Sequence, residues 1–440
     1  MTTITTSAPS PSAFLQEAEM FAELYGKQQP AFLNLRREAI AAFSKLGIPT
    51  GKHEEWKYLN LSGITTAGYR TVSPTDTQTF TAKEAEQYRL PGKKSVLVVV
   101  ENGRINSAAS SMNDLPSGIK IGSLSDFLGQ DSVQSHLFQH ADFVNEALVA
   151  MNTMLCYEPV VILVEKNAKI ELPVQLAFVA VAGAEPLSIP ARVLVVMGDQ
   201  SECTVIESYH THGDGAPTFT NAVSEVVVGK GARYFGTKVQ AEADTSKNIS
   251  YHKVNMARDS YQHLTTVTLG GLLVRNNLHI RLDDVNINSY LNGLYVLNGD
   301  QVVDNHTLVD HAMPNCYSNE LYKGIIDGHA TGVFNGKIWV RQDAQKTNAY
   351  QSNKNLLLSN EASMNTKPQL EIYADDVKCS HGATTGQLDD EALFYLRARG
   401  IGEETARALL NHAFAADVIE QVENEELRAS LLQLLEKKLK

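Results

Sequence analysis

Residues 165–174 read EKNAKIELPV, residues 198–207 read GDQSECTVIE, and residues 229–239 read GKGARYFGTKV. Each opens on a turn built from Gly, Asn, Asp or Lys, passes a small residue and enters a β-rich run. They recur irregularly, at a spacing of about 30 residues. The segments around them have the same texture. SVLVVV (95–100), VVILVE (160–165), RVLVVM (192–197) and SEVVVG (224–229) are strand-like. Asn102-Gly103, Lys166-Asn167, Gly198-Asp199 and Gly229-Lys230-Gly231 punctuate them. Such segments continue to Gly386, which is more strand than one ordinary sandwich holds. Units that cannot bury an inner face alone must stack on their neighbours. The chain therefore reads as mainly β with helical ends, its core a β-helix rather than a barrel.

Outward from the core, the chain is helical. Ser12 is placed to cap a helix carrying Phe14, Ala18, Phe21 and Leu24. Pro30 suits a first helical position, and Phe32, Leu35, Ala39, Phe43 and Leu46 recur at helical spacing up to Gly47. HEEWKY (53–58) follows in a polar connection, where Trp56 reads as an anchor onto a core. One long helix is expected around Asp131–Met154, with Phe138, Phe143, Ala147 and Leu148 on one face. After Gly386 the helical period returns, with Asp389 as a cap. Leu393, Leu396, Leu409, Leu410 and Phe414 give apolar stripes, and a last helix runs from acidic Glu423–Glu426 to basic Lys437-Lys438. The polar stretch 283–366 suits Asn ladders on a solenoid flank, or a large protein-facing surface. The expected divisions are a loose N-terminus (1–11), an N-terminal helical domain and linker (12–92), the β-helix (93–386) and a C-terminal helical domain (387–440).

The 440 residues carry 38 Lys and Arg against 50 Asp and Glu, a formal charge of −12. That argues against a non-specific grip on nucleic acid or anionic lipid. The opening MTTITTSAPSPSAF has neither the basic nor the apolar region of a secretory signal. No apolar run approaches the roughly 18–20 residues that span a bilayer. The expectation is a soluble, cytoplasmic protein whose four cysteines stay reduced.

Several motifs bear on chemistry. Gly332-Val-Phe-Asn-Gly336-Lys337 has three residues between its glycines and Ile338 after the lysine, so it is not a phosphate loop. Asp283-Asp284 and Asp375-Asp376 are expected within strands, pointing to opposite faces and unfit as acid/base pairs. His210-Thr211-His212 puts two imidazoles on one face, but Gly213-Asp214-Gly215 makes it read as an exposed strand end. DDVKCSHGATTG (375–386) is the better candidate. In a strand, Cys379 and His381 share a face, and thiolate and imidazole both suit iron or zinc. They are two donors where a tetrahedral ion wants four. The residues alone leave a buried cysteine beside a surface histidine as the alternative reading.

HEEWKY, the polar stretch from His306 through Trp339 to Ser359-Asn-Glu-Ala362, and DDVKCSHGAT leading into LDDEALFYLRARGI together resemble the SufB/SufD family of the SUF iron–sulfur cluster assembly system. Cys379-Ser-His381-Gly-Ala383 stands where SufB-like chains have Cys-Glu-His-Glu-Ala, which favours the SufD branch. The resemblance implies a right-handed parallel β-helix flanked by helical domains. It implies a non-ATPase scaffold that pairs with SufB and docks the ATPase SufC through its C-terminal helices, where Leu393, Leu396, Leu409, Leu410 and Phe414 lie. By position, His381 and Cys379 would be metal donors at the SufB interface, completed in trans around a transient Fe–S cluster. None would be stably bound to the isolated chain, a homodimer is expected without SufB, and there is room for a flavin in the complex. Two other classes stay open on the residues: a stand-alone β-helix enzyme acting on polysaccharide, and a metal-binding homodimer needing no partner.

Overall fold

The computed structural model describes residues 11–90, 95–113 and 115–439; the segment read as loose falls almost wholly outside them. The repeating segments form two parallel sheets, joined corner to corner. The chain alternates strictly between them. In the first sheet Leu187–Met197, Thr218–Val228, Lys247–Met256, Leu273–Leu282, Val302–His311, Thr331–Val340 and Ser363–Ile372 follow one another. In the second, Val174–Val181, Glu202–His212, Arg233–Ala241, Tyr261–Thr268, Asn288–Leu297, Tyr317–Ile326, Thr347–Leu357 and Val377–Gly386 do the same. Leu273, Val302 and Thr331 lie opposite one another in successive turns, 29 residues apart. This is the β-solenoid expected from the spacing, with about eight turns.

The turns work because one corner repeats a single backbone device. Asn167, Gln200, Gly231, Asp259, Asn286, Asn315 and Lys346 all sit at φ between 59° and 63°. That left-handed region suits Gly and Asn best. Stacked at one corner, these residues bond each turn to the next: Asn167 N–H donates to the carbonyl of Asp199 (2.9 Å), Gln200 to Lys230 (2.8 Å) and Gly231 to Arg258 (2.9 Å). The Lys166-Asn167, Gly198-Asp199 and Gly229-Lys-Gly231 signals were therefore one structural column.

The interior is apolar near this corner, where Val226, Val228, Met256, Ile280, Leu282, Cys203 and Tyr234 pack together. A second apolar cluster gathers Val274, Leu297, Val303, Ile326 and Phe334, and other inner positions are polar. Asn276 donates its amide to Asn305 Oδ1 at 3.0 Å, and Asn353 and Asn355 continue inside later turns. These amides stack within the solenoid rather than on its flank. Identical polar groups satisfy one another along the axis, turn upon turn.

Both helical ends pack on the solenoid's outer faces. Pro11–Tyr25, Leu33–Leu46 and Ala147–Leu155 cover the first sheet over Phe219, Val223, Ile249 and Leu273. Ser12 lies inside the first helix instead of capping it, while Gly47 does terminate the second at φ 63°. The long helix expected over 131–154 is two short ones, Asp131–Gln134 and Ala147–Leu155. What interrupts it is Glu225. Its buried carboxylate accepts from the backbone N–H groups of Phe138, His140 and Ala141, at 2.8–3.0 Å, and Phe138 turns to φ 64°. Of the C-terminal helices, Glu403–Ile419 and Glu425–Lys438 lie against the second sheet, and Asp390–Ala398 packs on Glu403–Ile419. Asp389 caps the first as expected, accepting from the N–H groups of Glu391 and Ala392.

Candidate functional site

Two strands end the solenoid. Ser363–Ile372 pairs only with Thr331–Val340, and Val377–Gly386 only with Thr347–Leu357. Beyond them no described strand follows, so the last turn is open. Residues that earlier turns bury are exposed here. Thr347–Leu357 alternates buried inner positions with outer ones, whereas Val377–Gly386 is almost wholly exposed.

Cys379 and His381 sit on this last strand, on its inner face, as their i, i+2 spacing requires. Cys379 packs, half-buried, against the cluster of Ile338, Val340, Ala349 and Ala374. Burial pushes its thiol up from the ordinary value, with a counteracting backbone bond from Ala349. His381 is exposed at the mouth. Among the described residues no group of three or more His, Cys, Asp and Glu could hold a metal. The chain thus presents two soft-to-borderline donors on one face of an open edge, with room for ligands from outside. Under them lie two residues that the motif reading missed. Gln351 is opposite His381, and Glu320 is opposite Gln351. The period of about 30 was the signal: 320, 351 and 381 are one column.

The other candidates fall elsewhere. His210 and His212 do share a face, but not as an exposed strand end. His210 is buried under Tyr88, ring centroids 4.5 Å apart, and burial pulls its imidazole down to about 4. His212 Nδ1 meets Tyr88 Oη at 3.2 Å, and its Nε2 faces Glu84 at 3.6 Å. These imidazoles seat the segment around Phe80–Tyr88 on the second sheet. Asp283-Asp284 and Asp375-Asp376 lie in the corners after strands, not within them. They make no same-face pair in a groove. Gly332 and Gly336 are inner residues of Thr331–Val340, where added Cβ atoms would strike Ile326 and Gln351. Lys337 points out to Glu371 at 2.7 Å.

HEEWKY is an anchor. Glu54–Trp56 is a single helical turn with Trp56 buried on the first sheet. The Arg275 guanidinium lies 4.1 Å from the Trp56 ring centroid and pairs with Asp304 at 2.8 Å. His306 bridges Asp304 (2.9 Å) and Glu55 (3.3 Å).

The C-terminal stripe is divided. Leu393 is buried among the helices, and Phe414 packs toward the solenoid, its ring under Lys323 at 4.5 Å. Leu396 and Leu410 are half-buried. Leu409 is 48% exposed, beside Phe394 at 75% and Tyr395 at 56%. Among the described residues these last three are the domain's exposed large apolar side chains.

Comparison with known proteins agrees with this architecture. Residues 178–414 match the family model "SUF system FeS cluster assembly, SufBD core domain", and residues 14–176 match "SufBD protein N-terminal region". The chain is 32% identical to the iron–sulfur cluster assembly protein SufD of Escherichia coli, over 98% of each chain. It is 32% identical to an iron–sulfur cluster assembly SufBD family protein of Synechocystis, over 95% of this chain and 94% of the relative. To the chloroplastic protein ABCI7 of Arabidopsis thaliana it is 31% identical, over 86% and 80%. No described helix is long and apolar enough to cross a membrane.

Proposed function

The chain belongs to the SufBD family of iron–sulfur cluster assembly proteins and is a homologue of SufD, and from that premise we propose that it is a non-ATPase scaffold that completes its site with SufB. One observation carries the reading. Among the described residues, the paired donors at the solenoid's open end are two, Cys379 and His381, on the inner face of a last strand whose far edge is unpaired. A cluster needs more ligands than this chain offers there. SufB, seated on the open turn, would supply the rest. The nascent cluster is then cargo held between chains, and nothing in the reading asks this chain to keep it. SufC would dock on Phe394, Tyr395 and Leu409, the part of the C-terminal stripe not spent on internal packing.

The experiment compares purified complexes with SufB and SufC carrying wild-type chain or His381→Ala, matched in subunit stoichiometry and Tm. An exposed imidazole contributes within about ±0.5 kcal/mol to folding. The complex should therefore assemble normally, while iron and sulfide content after reconstitution falls sharply. Equal cluster yield in both would remove His381 from the mechanism.

A further inference from the structure

Beneath His381 the solenoid interior holds two fully buried polar side chains. Glu320 is 1% exposed and Gln351 3%. The strands are in continuous register, so Glu320, Gln351 and His381 occupy one inner column, about 4.8 Å apart from turn to turn. Gln351 Nε2 donates to Glu320 Oε2 at 2.7 Å. Its other polar atom, Oε1, is buried with no hydrogen-bond partner among the described residues. An orphaned buried carbonyl costs roughly 1–3 kcal/mol, and native structures retain few of them without a reason. Space has been made for this amide. Gly336, on the facing sheet, would place a Cβ 2.4 Å from Gln351 Nε2. His381, one strand further on, has no bond of its own.

We infer that Glu320 and Gln351 are positioning residues for His381: the carboxyl of Glu320 holds the amide N–H, and the amide oxygen, unbonded in this structure, is the acceptor to which the imidazole N–H turns. The bond sets the tautomer of His381 and leaves the other ring nitrogen's lone pair facing out of the mouth. Metal-ligating histidines characteristically give their second N–H to such a partner. Burial pushes the Glu320 carboxyl up to about 7; in its ionised form it only accepts, and there a flip of the amide would put two acceptors face to face. The functional half of the inference rests on the reading of His381 as a donor to the cluster; the structural half does not.

The test uses the full-length chain with 15N-labelled histidine and Gln351→Met, which conserves volume and removes the carbonyl. The His381 ring signals are identified by their loss in His381→Ala. Wild type should show one dominant tautomer at His381, with its N–H protected from solvent exchange. Gln351→Met should mix the tautomers and lose the protection, with Tm within a few degrees of wild type. Glu320→Gln should do so in part, because the amide it faces is then free to flip. Ring signals unchanged in Gln351→Met overturn the inference. In the complex with SufB and SufC, the same variant should weaken iron retention on the order of tenfold. Unchanged retention there, while His381→Ala abolishes it, also overturns the positioning role. If His381→Ala retains the cluster but the tautomer shift is present, the orienting bond stands and the cluster reading fails.

Discussion

At the scale of single residues, the buried pair Arg192–Glu225 joins two layers of the fold. Both side chains are fully buried, with Nη2 and Oε2 2.8 Å apart. Arg192 also donates to Asn152 and Thr153, and Glu225 collects three backbone N–H groups of the loop before Ala147–Leu155. The pair thus pins the N-terminal helical layer to the first sheet. Burial pushes the Glu225 carboxyl up, but Arg192 and the N–H groups of Ala141 and His140 outweigh it and hold it below the usual range. A depressed carboxyl contributes stability above its unfolded value, about 4.3, and loses it as pH falls through the lower folded value. Glu225→Gln should therefore cost about 3–5 kcal/mol at pH 7, since it strands a buried guanidinium. In urea titrations its deficit should shrink progressively below pH 4. A deficit independent of pH would mean that the carboxylate's charge is irrelevant. None of this was legible in the sequence, because Arg192 and Glu225 sit inside RVLVVM and SEVVVG and read there as ordinary outward strand positions. Cys379 and His381 were legible because i and i+2 share a face in any strand. Glu320 and Gln351 were legible only in part: the period of about 30 hints at the column, but placing them in it needs the true turn length, which varies from turn to turn.

At the scale of elements, the corners and the inner glycines decide how turns stack. The turn signals were readable because left-handed residues favour Asn and Gly, and the spacing was readable because corners recur. The two-sheet cross-section was not, since both faces of a parallel strand are covered and the polarity pattern blurs. Within the turns, Gly293 lies opposite Tyr322, and Tyr295 opposite Gly324. Each ring fills the space its neighbour lacks: a Cβ at Gly293 would fall 2.2 Å from the Tyr322 ring, and one at Gly324 2.2 Å from Tyr295. Overpacking of this kind costs about 1–3 kcal/mol. Gly293→Ala should lose that much in equilibrium denaturation, and Gly293→Ala with Tyr322→Leu should recover part of it. Additive losses would show that the two positions do not share one space. The C-terminal helices illustrate the same limit of pattern reading. Their period was plain, yet Leu427, Leu431 and Leu435 are spent on Ile206, Val239, Val267, Leu294 and Ile325 of the second sheet. Deleting residues 388–440 would uncover that surface, so the cleaner probe of SufC docking is Leu409→Asp. It should abolish SufC binding in a pull-down while leaving Tm within about 2 °C, as surface changes do. Undiminished binding would place the contact elsewhere.

At the scale of the whole molecule, the two ends of the solenoid differ. The first turns are closed by antiparallel partners: Arg104–Ile105 folds back on Val96–Glu101, and Ile119–Ser123 pairs with Val160–Val164. The last turn ends on two strands of ten residues each, both paired on one side only. An open strand edge is a template for another chain unless it is guarded. Ser363–Ile372 carries guards in Lys367, Pro368 and Glu371. Val377–Gly386 has only Lys378 near its start. Parallel pairing commits alternate residues to each side, and Asn348 N–H bonds back to the carbonyl of Cys316. By the same alternation Lys378, Ser380, Gly382 and Thr384 bond back, leaving the N–H groups of Cys379, His381, Ala383 and Thr385 for the edge. The edge that carries the candidate donors is thus also the one best suited to accept a strand. With SufB absent, a second copy can meet it about a two-fold axis, which makes the new pairing antiparallel. The isolated chain should therefore be a dimer at micromolar concentration. Ala383→Pro removes one free donor without touching a committed one, a substitution that edge strands tolerate. Light scattering should show the variant shifted toward monomer, with unchanged circular dichroism. Wild type that is monomeric at micromolar concentration, or a proline variant that dimerises as well as wild type, would mean that self-association does not run through this strand.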